Sequence, residues 1–180
     1  AKIDSADKRF TTRLAVFHSA KLNERNTDPD LNIAVLSGKR HVAGAEIDIT
    51  GRLSAKWEVY GSYMWMPSAK IDRGAEGAEG QGTRPSLTPR HSGTIWTTYQ
   101  ITPQLRVGGG LNFRSSQTPI RNPGWSAPGY VTGDLMAEYT INERYSLKAN
   151  LSNVTNKLYA DALYPGHYVP GAGRLFQLTA

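Results

Sequence analysis

The sequence predicts an all-β chain, an antiparallel transmembrane β-barrel, from three observations. Apolar residues recur at every second position on both sides of tight polar turns. Short turns and long connections alternate strictly along the chain. No apolar run approaches the ~18 residues of a membrane-crossing helix; the longest are pieces such as Leu14-Ala15-Val16-Phe17. A period of two means a strand with one apolar and one polar face. Long connections gathered at one end are the layout of an outer-membrane barrel, with short periplasmic turns and long extracellular loops.

Eight strands are expected, over 9–25, 40–53, 56–67, 87–101, 104–116, 129–141, 144–155 and 173–180. Thr, Tyr, Val and Ile dominate them, as strand propensity requires. In the second, Ile47, Ile49, Gly51 and Leu53 share one face, and Asp48, Thr50 and Arg52 the other. A turn near 54 leads into Trp57 and Val59 of the third. Turns near 102 and 142 join the fourth strand to the fifth and the sixth to the seventh. Before the last of these, Leu135, Ala137, Tyr139 and Ile141 alternate with Met136, Glu138 and Thr140. Long connections fall near 26–39, 68–86, 117–128 and 156–172, the second including the low-complexity run Gly74–Gly82. Glycines 51, 61, 93, 108, 109, 110 and 133 lie inside strands, which fits bends or close backbone approach in a curved wall.

The turns set a register. Pairing Leu53 with Trp57 puts Arg52 opposite Glu58; pairing Ile141 with Tyr145 puts Glu138 opposite Lys148; the same frame puts Gln100 opposite Arg106. Opposite charges facing each other favour such pairing. Three-residue turns prefer Gly or Asn at a left-handed position, and Lys56, Gln104 and Arg144 do not fit that preference. The apolar face is expected to meet lipid, exposing Ile47, Ile49, Val59, Val107, Leu111, Leu135, Leu147 and Leu151. Arg52, Glu58, Arg106, Glu138 and Lys148 are expected on the concave side. Trp57, Tyr99, Tyr139 and Tyr145 fall on the apolar face near the turns, as an interfacial aromatic girdle does.

Composition narrows the function classes. The 180 residues carry a net charge of +6 and no cysteine, so no disulfide or thiolate metal site exists. The bases are scattered, with Lys39-Arg40-His41 the densest cluster, which reads as solvated surface rather than a nucleic-acid interface. His18, His41, His91 and His167 have no metal-ligand spacing, and neither an H-E-x-x-H nor a G-x-S-x-G motif is present. Asp48, Glu58 and Glu138 are explained as wall charges. No catalytic constellation emerges, so the chain is not read as an enzyme, and no cofactor is implied. Asn153-Val154-Thr155 matches a glycosylation acceptor too common to carry weight.

The loops hold the binding chemistry. Arg114 to Trp125 mixes guanidinium, amide and indole groups and includes Arg121; Tyr164 to Gly171 adds His167 and Tyr168; Arg84 and Arg90 follow the glycine-rich run. Arg and aromatic side chains together suit a flat, anionic, aromatic ligand. The candidate ligand-binding residues are therefore Arg84, Arg90, Arg114, Arg121, Trp125, Tyr164, His167 and Tyr168.

Three segments resemble one family. Leu151-Ser152-Asn153-Val154-Thr155-Asn156-Lys157-Leu158-Tyr159 looks like the last extracellular hairpin of TonB-dependent outer-membrane receptors, and Gly173–Thr179 like their final strand. Gly44-Ala45-Glu46-Ile47-Asp48-Ile49-Thr50-Gly51 and Arg84-Pro85-Ser86-Leu87-Thr88-Pro89-Arg90-His91 resemble two further family segments. The loops look most like catecholate siderophore receptors of the Fiu type. The resemblance implies a 22-stranded barrel around a plug domain. Residues 1–180 would supply about its eight C-terminal strands, without plug or TonB box. Ala1-Lys2-Ile3-Asp4 is no signal peptide and lacks a start methionine, and the chain stops at Ala180 without the usual terminal aromatic. Both features read as a fragment. The implied function is TonB-energised uptake of a ferric catecholate siderophore in the bacterial outer membrane. The implied partners are that siderophore, membrane lipid and lipopolysaccharide, and TonB through the missing plug. The alternative is a self-contained eight-stranded outer-membrane barrel with a structural or adhesive role.

Overall fold

Alternating side chains and minimal turns make each strand fold back on its predecessor. The computed structural model describes residues 1–27, 31–74, 80–119 and 124–180. Its main sheet has nine antiparallel strands: β1 (Lys2–Asp4), β2 (Phe10–Thr27), β3 (Ala34–Ser54), β4 (Trp57–Arg73), β5 (His91–Gln100), β6 (Leu105–Arg114), β7 (Tyr130–Thr140), β8 (Ser146–Ser152) and β11 (Leu175–Thr179). Strands β1 to β8 follow chain order, and β11 pairs with β8. The short β9 (Ala160–Leu163) and β10 (Tyr168–Pro170) form a separate hairpin inside the last long connection. There is no helix among the described residues.

Several expectations need correction. The sheet does not close on itself: β1 and β11 each have one neighbour, so the self-contained eight-stranded barrel is not what forms. The connection expected over 26–39 is mostly strand, because β2 runs to Thr27 and β3 starts at Ala34. Residues 87–90 are not strand: Pro89 has no N–H to give a ladder, and Leu87 has a left-handed φ of 58°.

The turn register holds where charges fixed it. Arg52 faces Glu58, Gln100 faces Arg106, and Glu138 faces Lys148. Leu53 does not face Trp57; the register shifts there and Ser54 takes that place. Lys56, Gln104 and Arg144 are not left-handed. Side-chain acceptors complete the turns instead. Ser54 Oγ receives the Lys56 N–H at 3.3 Å, Thr102 Oγ1 the Leu105 N–H at 3.0 Å, and Asn142 Oδ1 the Arg144 N–H at 2.9 Å. Beside them, Ser5 Oγ receives the Phe10 N–H at 3.0 Å in the β1–β2 turn. Ser5 and Arg9 also hydrogen-bond the Asp7 carboxylate and hold its pKa well below the usual range.

The two faces differ as a curved wall requires. On the charged face Thr98, Thr132 and Met136 are only 6–8% exposed. On the apolar face Ile95, Leu111, Val131 and Leu135 are about half exposed, at 49–55%. Crowding on one side and splaying on the other mean that the sheet bends around its charged face. Ile49, Leu111, Leu135 and Leu147 are exposed as expected, whereas Ile47, Val59, Val107 and Leu151 are half-buried by flanking apolar neighbours. Close backbone approach also appears: a Cβ on Gly93 would strike the Phe113 ring, and one on Gly110 the Trp96 ring.

Trp57, Tyr99, Tyr139 and Tyr145 stay exposed on the apolar face beside the turns. Trp57 Nε1 donates to Thr97 Oγ1 at 2.6 Å and its ring meets Tyr99 edge-on. Trp65 lies on the same strand and face as Trp57, about 26 Å away along it. Strands β2–β4, at 17–21 residues, run well past the level of Trp65.

Candidate ligand-capture site

At the long-loop end, one asparagine ties down the last connection. Asn153 follows β8 in a left-handed conformation, φ 47°, and is almost fully buried. Its Nδ2 donates to the carbonyls of Lys157 and Ala172, each at 2.9 Å, and its Oδ1 accepts the Lys157 N–H at 2.8 Å. Both ends of the loop are thereby pinned together. Asn156, φ 52°, accepts the Arg174 N–H at 2.9 Å and directs the chain into β11. The glycosylation pattern at Asn153 is thus a loop anchor whose amide is already engaged.

Within this frame Tyr159 lies against Gly171, where a Cβ would meet its ring. The Tyr159 ring is 4.4 Å from that of Tyr130 at the start of β7. Burial, then the nearby Asp161 carboxylate, push the Tyr159 hydroxyl pKa up. Beyond it the β9–β10 hairpin stacks Tyr164 on His167, with centroids 4.9 Å apart and planes at 11°. The facing loop is closed by paired backbone hydrogen bonds between Gln117 and Ala127, at 3.1 and 2.8 Å. The two loops enclose a cavity of ≈ 640 Å³ walled by Trp125, Tyr159, Leu163, Tyr164, His167 and Tyr168, with Pro119 and Pro128 at its side. Among the described residues no Asp, Glu, Lys or Arg lines it. The cavity suits a planar aromatic group, and the prolines limit the freedom lost when it fills.

The sequence-derived candidates divide between places. Trp125, Tyr164, His167 and Tyr168 meet in this cavity, and Trp125 is 71% exposed over it. Arg114 stands behind it, its guanidinium 6.0 Å over the Tyr130 ring that touches Tyr159. Arg84 is engaged elsewhere. Its guanidinium donates to the carbonyls of Met66 at 2.6 Å and Thr88 at 2.7 Å, and more weakly to Pro67 and Pro89 at 3.4 Å. Burial, then Arg90, lower its pKa. Arg84 is therefore a clamp fixing the 84–90 segment to β4. Arg90 is exposed beside that segment, and only its backbone meets Ser115. Arg121 lies outside the described residues. Tyr159, Leu163, Pro119 and Pro128 were not among the candidates. Tyr159 closes the asparagine-rich motif at 153–159, which was the available signal; Leu163 carried none.

The arrangement of one curved sheet, short turns at one end and an aromatic loop cavity at the other has relatives. Residues 2–154 match the family described as TonB dependent receptor-like, beta-barrel. The chain belongs to the TonB-dependent receptor family. Members of this family are outer-membrane transport receptors, not enzymes. Over 96% of its length, the chain is 31% identical to BfrD of Bordetella pertussis, a probable TonB-dependent receptor. It is 30% identical over 95% of the chain to PiuA of Acinetobacter baumannii, a probable TonB-dependent siderophore receptor. The chain spans about a quarter of each of those proteins, 24%. The crystal structure of the ferric-catecholate import receptor Fiu from Escherichia coli, closed form, superimposes with a TM-score of 0.85 at 27% identity. That alignment covers 98% of this chain and 25% of Fiu.

Proposed function

We propose that this chain is the C-terminal part of the barrel of an outer-membrane receptor that takes up ferric catecholate siderophores. TonB would drive the uptake through a plug domain outside residues 1–180. The observation that carries the catecholate assignment is the aromatic cavity of Trp125, Tyr159, Tyr164, His167 and Tyr168 at the long-loop end. A ferric tris-catecholate is trianionic and presents three flat rings. Aromatic walls stack on a ring, and the absence of carboxylates from the lining avoids repelling the anion. Arg114, behind Tyr130, adds positive potential, and Arg121 extends the cationic character of the same loop in sequence. Arg84 serves by holding the neighbouring segment in place, and Arg90 by charge at its surface. Fiu, whose description names ferric catecholates, is a relative along nearly the whole chain. The apolar face then meets membrane lipid and lipopolysaccharide.

The test is equilibrium binding of iron-loaded tris-catecholate and tris-hydroxamate chelates to cells carrying the intact receptor. Catecholate binding that falls at least about tenfold in Trp125→Ala/Tyr168→Ala, at normal surface expression, is the expected result. Equal binding of both chelate classes, indifferent to that variant, rejects the catecholate assignment.

A further inference from the structure

A second cavity lies on the charged face, at the short-turn end of the sheet. It measures ≈ 630 Å³, and its charged lining is Lys8, Arg9, Arg52, Arg106 and Glu58. Three of the four cations have an acidic neighbour: Arg9 Nε donates to Asp7 at 2.6 Å, Arg52 Nε donates to Glu58 at 3.1 Å, and Arg106 lies within ion-pair range of Glu138. Lys8 makes no ion pair among the described residues, although its turn holds it in a left-handed conformation, φ 55°. Arg106 Nε is enclosed and has no hydrogen-bond partner among them; Glu138 Oε2 lies 3.7 Å away, beyond hydrogen-bond range.

A solvated cation needs no partner, but an enclosed N–H donor does. Trp96 and Tyr60 also line the cavity. Excess positive charge, an unfilled donor and space for a small group coincide on the face around which the sheet bends.

We propose that this cavity is an oxyanion site, taking a carboxylate or phosphate group that accepts the Arg106 Nε–H and pairs with Lys8. Such a group has two sources: a free anion in the lumen, or an acidic side chain of the receptor's polypeptide outside residues 1–180. The site does not depend on which siderophore the loops bind.

The experiment uses the full-length receptor in detergent, wild type and Lys8→Gln/Arg106→Gln, each checked for the heat-modifiable folded form. Inorganic phosphate is titrated and followed by phosphorus NMR line broadening. In phosphate-free buffer, hydrogen exchange is then mapped by mass spectrometry. Saturable phosphate binding that weakens about tenfold or more in the variant supports a site for free anions. No phosphate binding, with exchange in an acidic segment outside residues 1–180 rising in the variant, supports a site for a polypeptide carboxylate. Neither change overturns the proposal. Arg106→Lys keeps the charge but removes the Nε–H, and the same readouts decide with it if the double variant does not fold.

Discussion

The Asp134 carboxylate accepts the backbone N–H of Asn153 at 2.8 Å. Its other oxygen takes the Asn112 amide at 3.0 Å, and Asn112 in turn accepts the Thr94 hydroxyl at 2.8 Å. One polar ladder therefore runs across β5, β6 and β7 to the anchor of the last loop. The barrel wall and the capture cavity are mechanically joined at Asn153.

Asn153→Ala leaves three backbone groups unpaired and places a Cβ-bearing residue without a local hydrogen bond in the left-handed region. The expected cost is about 2–4 kcal/mol. Asn153→Gly removes the side chain but tolerates the backbone, and should cost about 1–3 kcal/mol. Urea unfolding of the intact receptor in detergent measures both. Equal stability of all three proteins would contradict the anchoring role.

Gly171→Ala puts a methyl group into the Tyr159 ring, whereas a Cβ on Gly61, in β4 and outside the cavity lining, meets only the Thr94 carbonyl at 3.9 Å. The first substitution should displace Tyr159 from the cavity and weaken catecholate binding about tenfold, through lost ring contact. The second should leave binding unchanged. Fluorescence quenching of the exposed Trp125 on titration with ligand reads both, and equal affinities would remove Tyr159 from the site.

The Asp7 carboxyl has its pKa depressed, first by the Ser5 hydroxyl and then by Arg9. A depressed carboxylate stabilises the fold above its ordinary pKa of 3.8 and loses that contribution as pH falls through the folded value. Asp7→Asn should therefore unfold more readily than wild type at pH 6, with the gap closing as pH drops below 3.8. A gap that widens with acid would reverse the sign of this linkage.

Leu135 and Glu138 lie three residues apart on opposite faces of β7. Leu135→Arg puts a charge into lipid and should cost about 2–4 kcal/mol near the bilayer midplane. Glu138→Gln, on the wet face with Arg106 3.7 Å away, should cost about 0–1 kcal/mol. Folding yields into lipid vesicles compare the two. Equal penalties would mean that the faces are assigned the wrong way round.

The faces and turn register were readable because each rests on local chemistry. Alternation assigned Leu135 and Glu138 to opposite sides, and opposite charges placed Arg52 against Glu58. The bulge at Leu53 was not readable, because no glycine or left-handed residue marks it. The far ends of β2 and β3 escaped for a different reason. β2 ends in the polar run Asn23–Thr27 and β3 begins with the unbroken apolar run Ala34-Val35-Leu36 before Lys39-Arg40-His41, so alternation disappears while pairing continues. Residue type singled out Trp125, Tyr164, His167 and Tyr168, which the fold brings to one cavity. It could not separate Arg84 from the other arginines, because its bonds all go to backbone carbonyls, two of them, Met66 and Pro67, distant in sequence.

Strands β2–β4 are 17–21 residues long, against 7–11 for β5–β8. A tilted strand needs about 9–11 residues to cross a bilayer. The surplus projects beyond the shorter strands as a stiff three-stranded parapet, while the aromatic cavity lies beside the loops of β6 to β11. A large body approaching over β2–β4 therefore meets their projecting ends before it meets the aromatic cavity.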